Sequence, residues 1–118
     1  MTGESTVRER TRAGGAGARL DAGSVGLERL GDLATLVQFS SAFCQPCRAT
    51  RRTLREVSEM IAGVTYVEID AEERLALVRE LGILSTPAVL VLDAGGRVVR
   101  RAYGQPRKAH VIAAVGAA

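Results

Sequence analysis

A chain of 118 residues suffices for one domain and one core, and leaves no room for a second. Nearly half of its residues are apolar and a quarter are charged, and no apolar run approaches the roughly 20 residues that cross a bilayer, so no membrane contact is expected. The net charge of +3 is mildly basic, but the arginines lie among acids and only two Phe and two Tyr could stack on bases, which argues against nucleic-acid binding.

Residues 1–17 hold one large aliphatic, Val7, besides Met1, and are otherwise polar, charged or small. They read as a disordered tail ahead of a domain over 18–118. No apolar stretch of secretory length follows the start, so the expected compartment is the cytoplasm. The alternative is a membrane-anchored or exported protein whose upstream anchor or signal has been trimmed. Ala18 to Leu20 is expected as a short edge strand, and a helix is expected from Ser24 to Leu30, stopped by Gly31.

Leu33 to Ser40 is a mostly apolar run of strand length, the pattern of a strand covered on both faces. From Cys44 to Ile61 the period turns helical, with Leu54, Val57 and Ile61 on one face and Gly63 as the stop. Val64 to Ile69 reads as a second buried strand, after which Asp70 and Glu73 have the spacing of a capping box. Leu75, Val78 and Leu81 stripe the next helix, which Gly82 closes. Ala88 to Leu92 and Val98 to Tyr103 form a hairpin around Ala94-Gly95-Gly96, and Pro106 opens a last helix with Val111, Ile112 and Val115 inward. The order β-α-β-α-β-α-β-β-α implies an α/β fold with a central mixed sheet flanked by helices on both faces.

Both cysteines of the chain lie in Phe43-Cys44-Gln45-Pro46-Cys47-Arg48, at the mouth of the predicted second helix. With two residues between them, the second falls almost one turn after the first and the sulfurs can meet, so a reversible dithiol and disulfide switch is the leading reading. The first thiol sits over unpaired backbone N–H groups at the positive end of the helix dipole, which favours thiolate. Half of a zinc site is the competing reading of such a pair. It lacks its other half, because His110 is the only histidine and no further cysteine exists. No metal and no bound cofactor are expected.

Leu36-Val37-Gln38-Phe39 before the motif, Cys44-Gln45-Pro46-Cys47 itself, Ser85-Thr86-Pro87 before a strand and Gly104 after the last strand together resemble the thioredoxin family, from about Leu20 to the C-terminus. The resemblance implies the thioredoxin fold, with Cys44 as exposed nucleophile and Cys47 as buried resolving thiol. It implies that Pro46 stiffens the loop, a role compatible with a first helical turn where a missing N–H costs nothing. It further implies a cis peptide before Pro87, an open backbone edge at Thr86, and substrate contact through Phe43, Thr86 and Gly104.

Three positions depart from the family pattern. Phe43 stands where tryptophan is common, Gln38 where a buried aspartate lies under the resolving cysteine, and Tyr66 where a lysine partners that acid. A neutral amide can hydrogen bond but cannot take the proton of Cys47. The alternative for Gln38 is a polar residue facing solvent at the sheet margin. Along the helix, Arg52 and Arg55 have acids four residues on, whereas Arg48 and Arg51 have none. Arg48 is expected to aid Cys44 acidity, and Arg51 is read with Arg52 and Arg55 as a solvated face.

The functional expectation is a monomeric thiol-disulfide oxidoreductase that reduces protein disulfides, with electrons from a separate thioredoxin-reductase-like donor and disulfide-bearing proteins as substrates. Two alternatives stand beside it. One is a binding module of the same fold whose partner surface is switched by redox state. The other is an oxidant or isomerase outside the cytoplasm, where the same dithiol would run in the opposite direction.

Overall fold

The computed structural model describes residues 18–118, and the tail expected over 1–17 lies outside the described residues. Strand β1 (Ala34–Ser40) is buried at every position, as its nearly continuous apolar sequence requires. Next to it runs β2 (Val64–Asp70), parallel and in register from Ala34 opposite Val64 to Ser40 opposite Asp70. A parallel pair needs a long crossover, which α1 (Gln45–Met60) supplies. On the other side of β1, β3 (Ala88–Asp93) runs antiparallel and pairs with β4 (Val98–Tyr103) as a hairpin, giving the sheet order β2-β1-β3-β4.

Alternation along the strands divides the core into two layers. One face packs Leu36, Val64, Val89 and Val91 under Leu54 and Val57 of α1 and Val111, Ala114 and Val115 of α3 (Lys108–Gly116). The opposite face packs Val37, Phe39, Ile69, Leu90 and Leu92 against Leu77 and Leu81 of α2 (Leu75–Leu81), together with Leu20 and Val25. Helices therefore cover both faces, as expected. Of the predicted α2 stripe, Leu81 is buried and Val78 is half-buried against the same core, while Leu75 is exposed and Leu77 supplies a further inward residue.

The opening of the domain differs from the expectation. Instead of a strand at 18–20 there is a single antiparallel bridge between Arg19 and Arg97, closed by Leu20 N donating to Gly96 O and Val98 N donating to Ala18 O. Instead of a helix from Ser24 to Leu30 there is one 3-10 turn, Gly23–Val25. Asp21 Oδ1 accepts from both the backbone N and the Oγ of Ser24, which starts the turn, and Gly26 at φ 81° ends it in the left-handed region. The capping box at Asp70 also resolves differently. Asp70 accepts from Glu72 N and caps a 3-10 turn, Ala71–Glu73, so that α2 begins only at Leu75. Helix α3 begins at Lys108 rather than at Pro106, with Arg107 still extended.

This topology gathers the loop after β1, the segment after β2, the segment before β3 and the turn after β4 at one end of the sheet. Register makes them neighbours: Ser40 lies opposite Asp70, Phe39 opposite Ala88, and Ala88 opposite Tyr103. No described helix is long and apolar enough to cross a membrane.

Candidate active site

Cys44 is the N-cap of α1, with Pro46 in the first turn and no acid there to oppose a thiolate. Its sulfur accepts from the backbone N of Cys47 at 3.1 Å, which is the hydrogen bond a helix end offers to an anion. The two cysteines are joined as a disulfide across a Cα–Cα distance of 5.2 Å. They are not equivalent, because Cys44 is half-buried at the surface while Cys47 is 1% exposed. Thr50 Oγ1 donates to Pro46 O at 2.7 Å and settles the carbonyl of the rigid turn.

The bond between Thr86 and Pro87 is cis, as the resemblance implied. Pro87 is buried, its carbonyl accepts from Gly104 N at 2.9 Å, and a side chain at Gly104 would meet nothing within 4 Å, so this part of the end face is open. The Thr86 hydroxyl shares a hydrogen bond of 2.7 Å with Ser41 Oγ, linking the proline loop to the motif loop. Phe43, at φ 59°, is 100% exposed. Leu84 is 84% exposed, and its N–H donates to the hydroxyl of Tyr103.

A thioredoxin family model matches residues 29–117. The chain belongs to the thioredoxin family. It is 38% identical over 80 residues to the thioredoxin of Alicyclobacillus acidocaldarius subsp. acidocaldarius, covering 66% of this chain and 75% of that protein. It is 31% identical over 78 residues to the bifunctional thioredoxin reductase/thioredoxin of Mycobacterium leprae (strain TN), covering 65% of this chain but only 17% of that one. Among solved structures, chloroplastic thioredoxin z superposes with a TM-score of 0.65 at 30% identity, over 73% of this chain and 78% of the other. A mutant thioredoxin from Halobacterium salinarum NRC-1 superposes with a TM-score of 0.66 at 20% identity over 74% of each chain, a likeness of fold. Within a thioredoxin-family chain, the Cys44–Cys47 disulfide makes the protein a thiol-disulfide oxidoreductase acting on disulfide substrates.

Gln38 is completely buried, so the solvent-facing alternative for it is wrong. It lies on the α1 side of β1, where Nε2 donates to Cys47 O at 2.9 Å and to Ser40 Oγ at 3.0 Å. Tyr66, the residue at the lysine position, donates its hydroxyl to Gln38 Oε1 at 2.8 Å. An amide and a phenol thus meet where the resemblance implied an acid and a base. Burial, reinforced by the nearby Glu68 carboxylate, pushes the Tyr66 hydroxyl up to about 12, so it stays a neutral donor.

Arg51 does not belong to the solvated face assigned to it. Its guanidinium grips Glu68 in a fork, Nε to Oε1 at 2.7 Å and Nη2 to Oε2 at 2.8 Å, and this holds Glu68 below the usual carboxylate range. Glu68 Oε2 also accepts from Ser40 Oγ at 2.6 Å. Arg51 has no acid four residues on along the helix because its acid is on β2. Ser40, Ser41 and Glu68 were missed altogether, and the available signal was the alternation that puts Gln38 and Ser40 on one face of β1. Arg48 is exposed on the first turn, and with Arg51, Arg52, Arg55, Glu56 and Glu59 it lines a shallow groove along α1.

Proposed function

We propose that this chain is a reductant of protein disulfides, with Cys44 as nucleophile and Cys47 as resolving thiol. The observation that carries the reading is their asymmetry: Cys44 is half-buried at a helix end, and Cys47 is buried within the first turn behind it. The Cys44 thiolate attacks one sulfur of a substrate disulfide, breaking that bond and releasing a substrate thiolate that takes up a proton. Cys47, once deprotonated, attacks Cys44 Sγ, breaks the mixed disulfide and releases the second substrate thiolate. Two electrons have passed to the substrate, and the protein is left in the Cys44–Cys47 form.

Phe43, Thr86 and Gly104 form the substrate platform in this reading, Pro46 and Pro87 shape its two loops, and Arg48 favours the Cys44 thiolate. Reduction is regenerated by a separate reductase in a reducing, cytoplasmic compartment, and the domain over 18–118 works as a monomer. The Mycobacterium leprae relative, by name a thioredoxin reductase joined to a thioredoxin, supports pairing with such a donor.

The test is substrate trapping. Cys47→Ser is expected to accumulate disulfide-linked partners on Cys44, and Cys44→Ser to abolish insulin reduction. Absence of linked partners, or insulin reduction that survives Cys44→Ser, would refute the assignment. A reduction potential well above that of the glutathione pool would reverse the proposed direction.

A further inference from the structure

Cys47 is buried in the first turn of α1, so the reach of its sulfur toward Cys44 is set by the backbone that carries it. That backbone is held by a closed ring of contacts. Cys47 O accepts from Gln38 Nε2, Gln38 Nε2 also donates to Ser40 Oγ, Ser40 Oγ donates to Glu68 Oε2, and Glu68 accepts the Arg51 fork. Arg51 in turn stands four residues after Cys47, where its backbone N–H is the helical partner of the same Cys47 carbonyl.

Directions in this ring are fixed by its charged acceptor. An ionised carboxylate can only accept, so Ser40 must direct its single proton to Glu68 and offer a lone pair to Gln38. Both hydrogens of the Gln38 amide then have acceptors, and its oxygen is left for the Tyr66 hydroxyl. A flipped amide would set its oxygen against the Cys47 carbonyl. We propose that Glu68 is a positioning residue for the resolving thiol: through Ser40 and Gln38, and through Arg51, it holds the turn from which Cys47 attacks the mixed disulfide. The proposal rests on the assignment of Cys47 as the resolving thiol. Its consequence is selective, because attack by Cys44 uses a thiol at the open helix end, whereas resolution needs two sulfurs of one short turn brought into line. A misplacement on the order of 1 Å costs up to about a hundredfold in such a step.

The reaction of the reduced full chain with 5,5′-dithiobis(2-nitrobenzoate) reads both steps in one trace. The first nitrothiobenzoate leaves when Cys44 attacks, and the second leaves when Cys47 resolves the mixed disulfide. Glu68→Gln keeps the size of the side chain but cannot accept from Ser40 and from both nitrogens of Arg51 together, and Ser40→Ala removes the link outright. Each is expected to slow the second phase about five- to tenfold and to leave the first within about twofold, with the double variant no slower than the worse single one. Glu59→Gln, exposed and outside the ring, is the control for a lost surface carboxylate.

A second phase unchanged in both Glu68→Gln and Ser40→Ala would overturn the proposal. So would equal slowing of both phases, which marks a general loosening of the fold. A wild-type trace whose second phase persists in Cys47→Ser would overturn the resolving role of Cys47 and this proposal with it, so the two failures are told apart.

Discussion

Gln38 brings a neutral amide into a site where an acid would carry a proton, and its three hydrogen bonds account for its full burial. Gln38→Asp reverses that balance. A carboxylate can still accept from Tyr66 but has nothing to donate to Cys47 O or Ser40 Oγ, and its charge beside the dithiol disfavours a second negative charge there. The expected outcome is a Cys44 thiolate titration, followed by ultraviolet absorbance of the reduced protein, that moves to higher pH. A loss of about 1–3 kcal/mol in stability should accompany it. A titration that stays in place would show that residue 38 does not govern the thiols. Phe43 poses the opposite case, since a side chain exposed over its whole surface contributes little to the fold. Phe43→Ala should leave stability within about 0.5 kcal/mol and raise KM for a protein substrate, while the rate with a small disulfide is unchanged. Equal losses with both substrates would remove Phe43 from the platform.

Between elements, the Arg51–Glu68 fork ties α1 to β2 across the layer. The folded pKa of Glu68 is lowered, chiefly by the Arg51 hydrogen bonds, so the unfolded chain binds its proton more readily than the folded one. The stability it adds is therefore complete above the ordinary carboxylate pKa of roughly 4.3, and is lost as pH falls through the lower folded value. Denaturant unfolding should show Glu68→Gln less stable than wild type at pH 7 by about 1 kcal/mol, with the gap closing in acid as the folded Glu68 carboxylate takes up its proton. A gap that stays constant with pH would exclude the ion pair as its source. This fork also marks where sequence reading stopped. The apolar runs of β1 and β3 and the stripe Leu54, Val57 set their elements well, because burial and period are properties of a single segment. Partners across elements depend on register, and nothing in the sequence announces that Gln38 falls opposite Glu68. For the same reason the dithiol, a motif local to one helix end, was legible, whereas the ring behind it was not. The expected helix over 24–30 failed on a local detail, the left-handed Gly26 that ends the turn after Val25.

At the scale of the molecule, chemistry and closure of the core sit at opposite ends of the sheet. β3 runs from beside Pro87 to Asp93, six residues or about 20 Å, and the hairpin turn beyond it receives the segment that opens the domain. Gly96 is the point of contact. It is buried at φ 88°, its carbonyl accepts from Leu20 N at 2.8 Å, and a Cβ placed on it would collide with Leu20 O. Leu20 is itself part of the core layer under α2, so a side chain at 96 must either strain the turn or lift Leu20 out of that layer. Gly96→Ala is therefore expected to cost about 2 kcal/mol or more, seen as a lower melting temperature and faster amide exchange at Leu20 and Val98. Distance makes the second half of the prediction. Because the redox end keeps its own contacts, both phases of the dithiobis(2-nitrobenzoate) reaction should stay within about twofold of wild type below the melting transition. If resolution slowed along with the loss of stability, the two ends of the sheet would be coupled, and the ring beneath Cys47 would not by itself set the position of the resolving thiol.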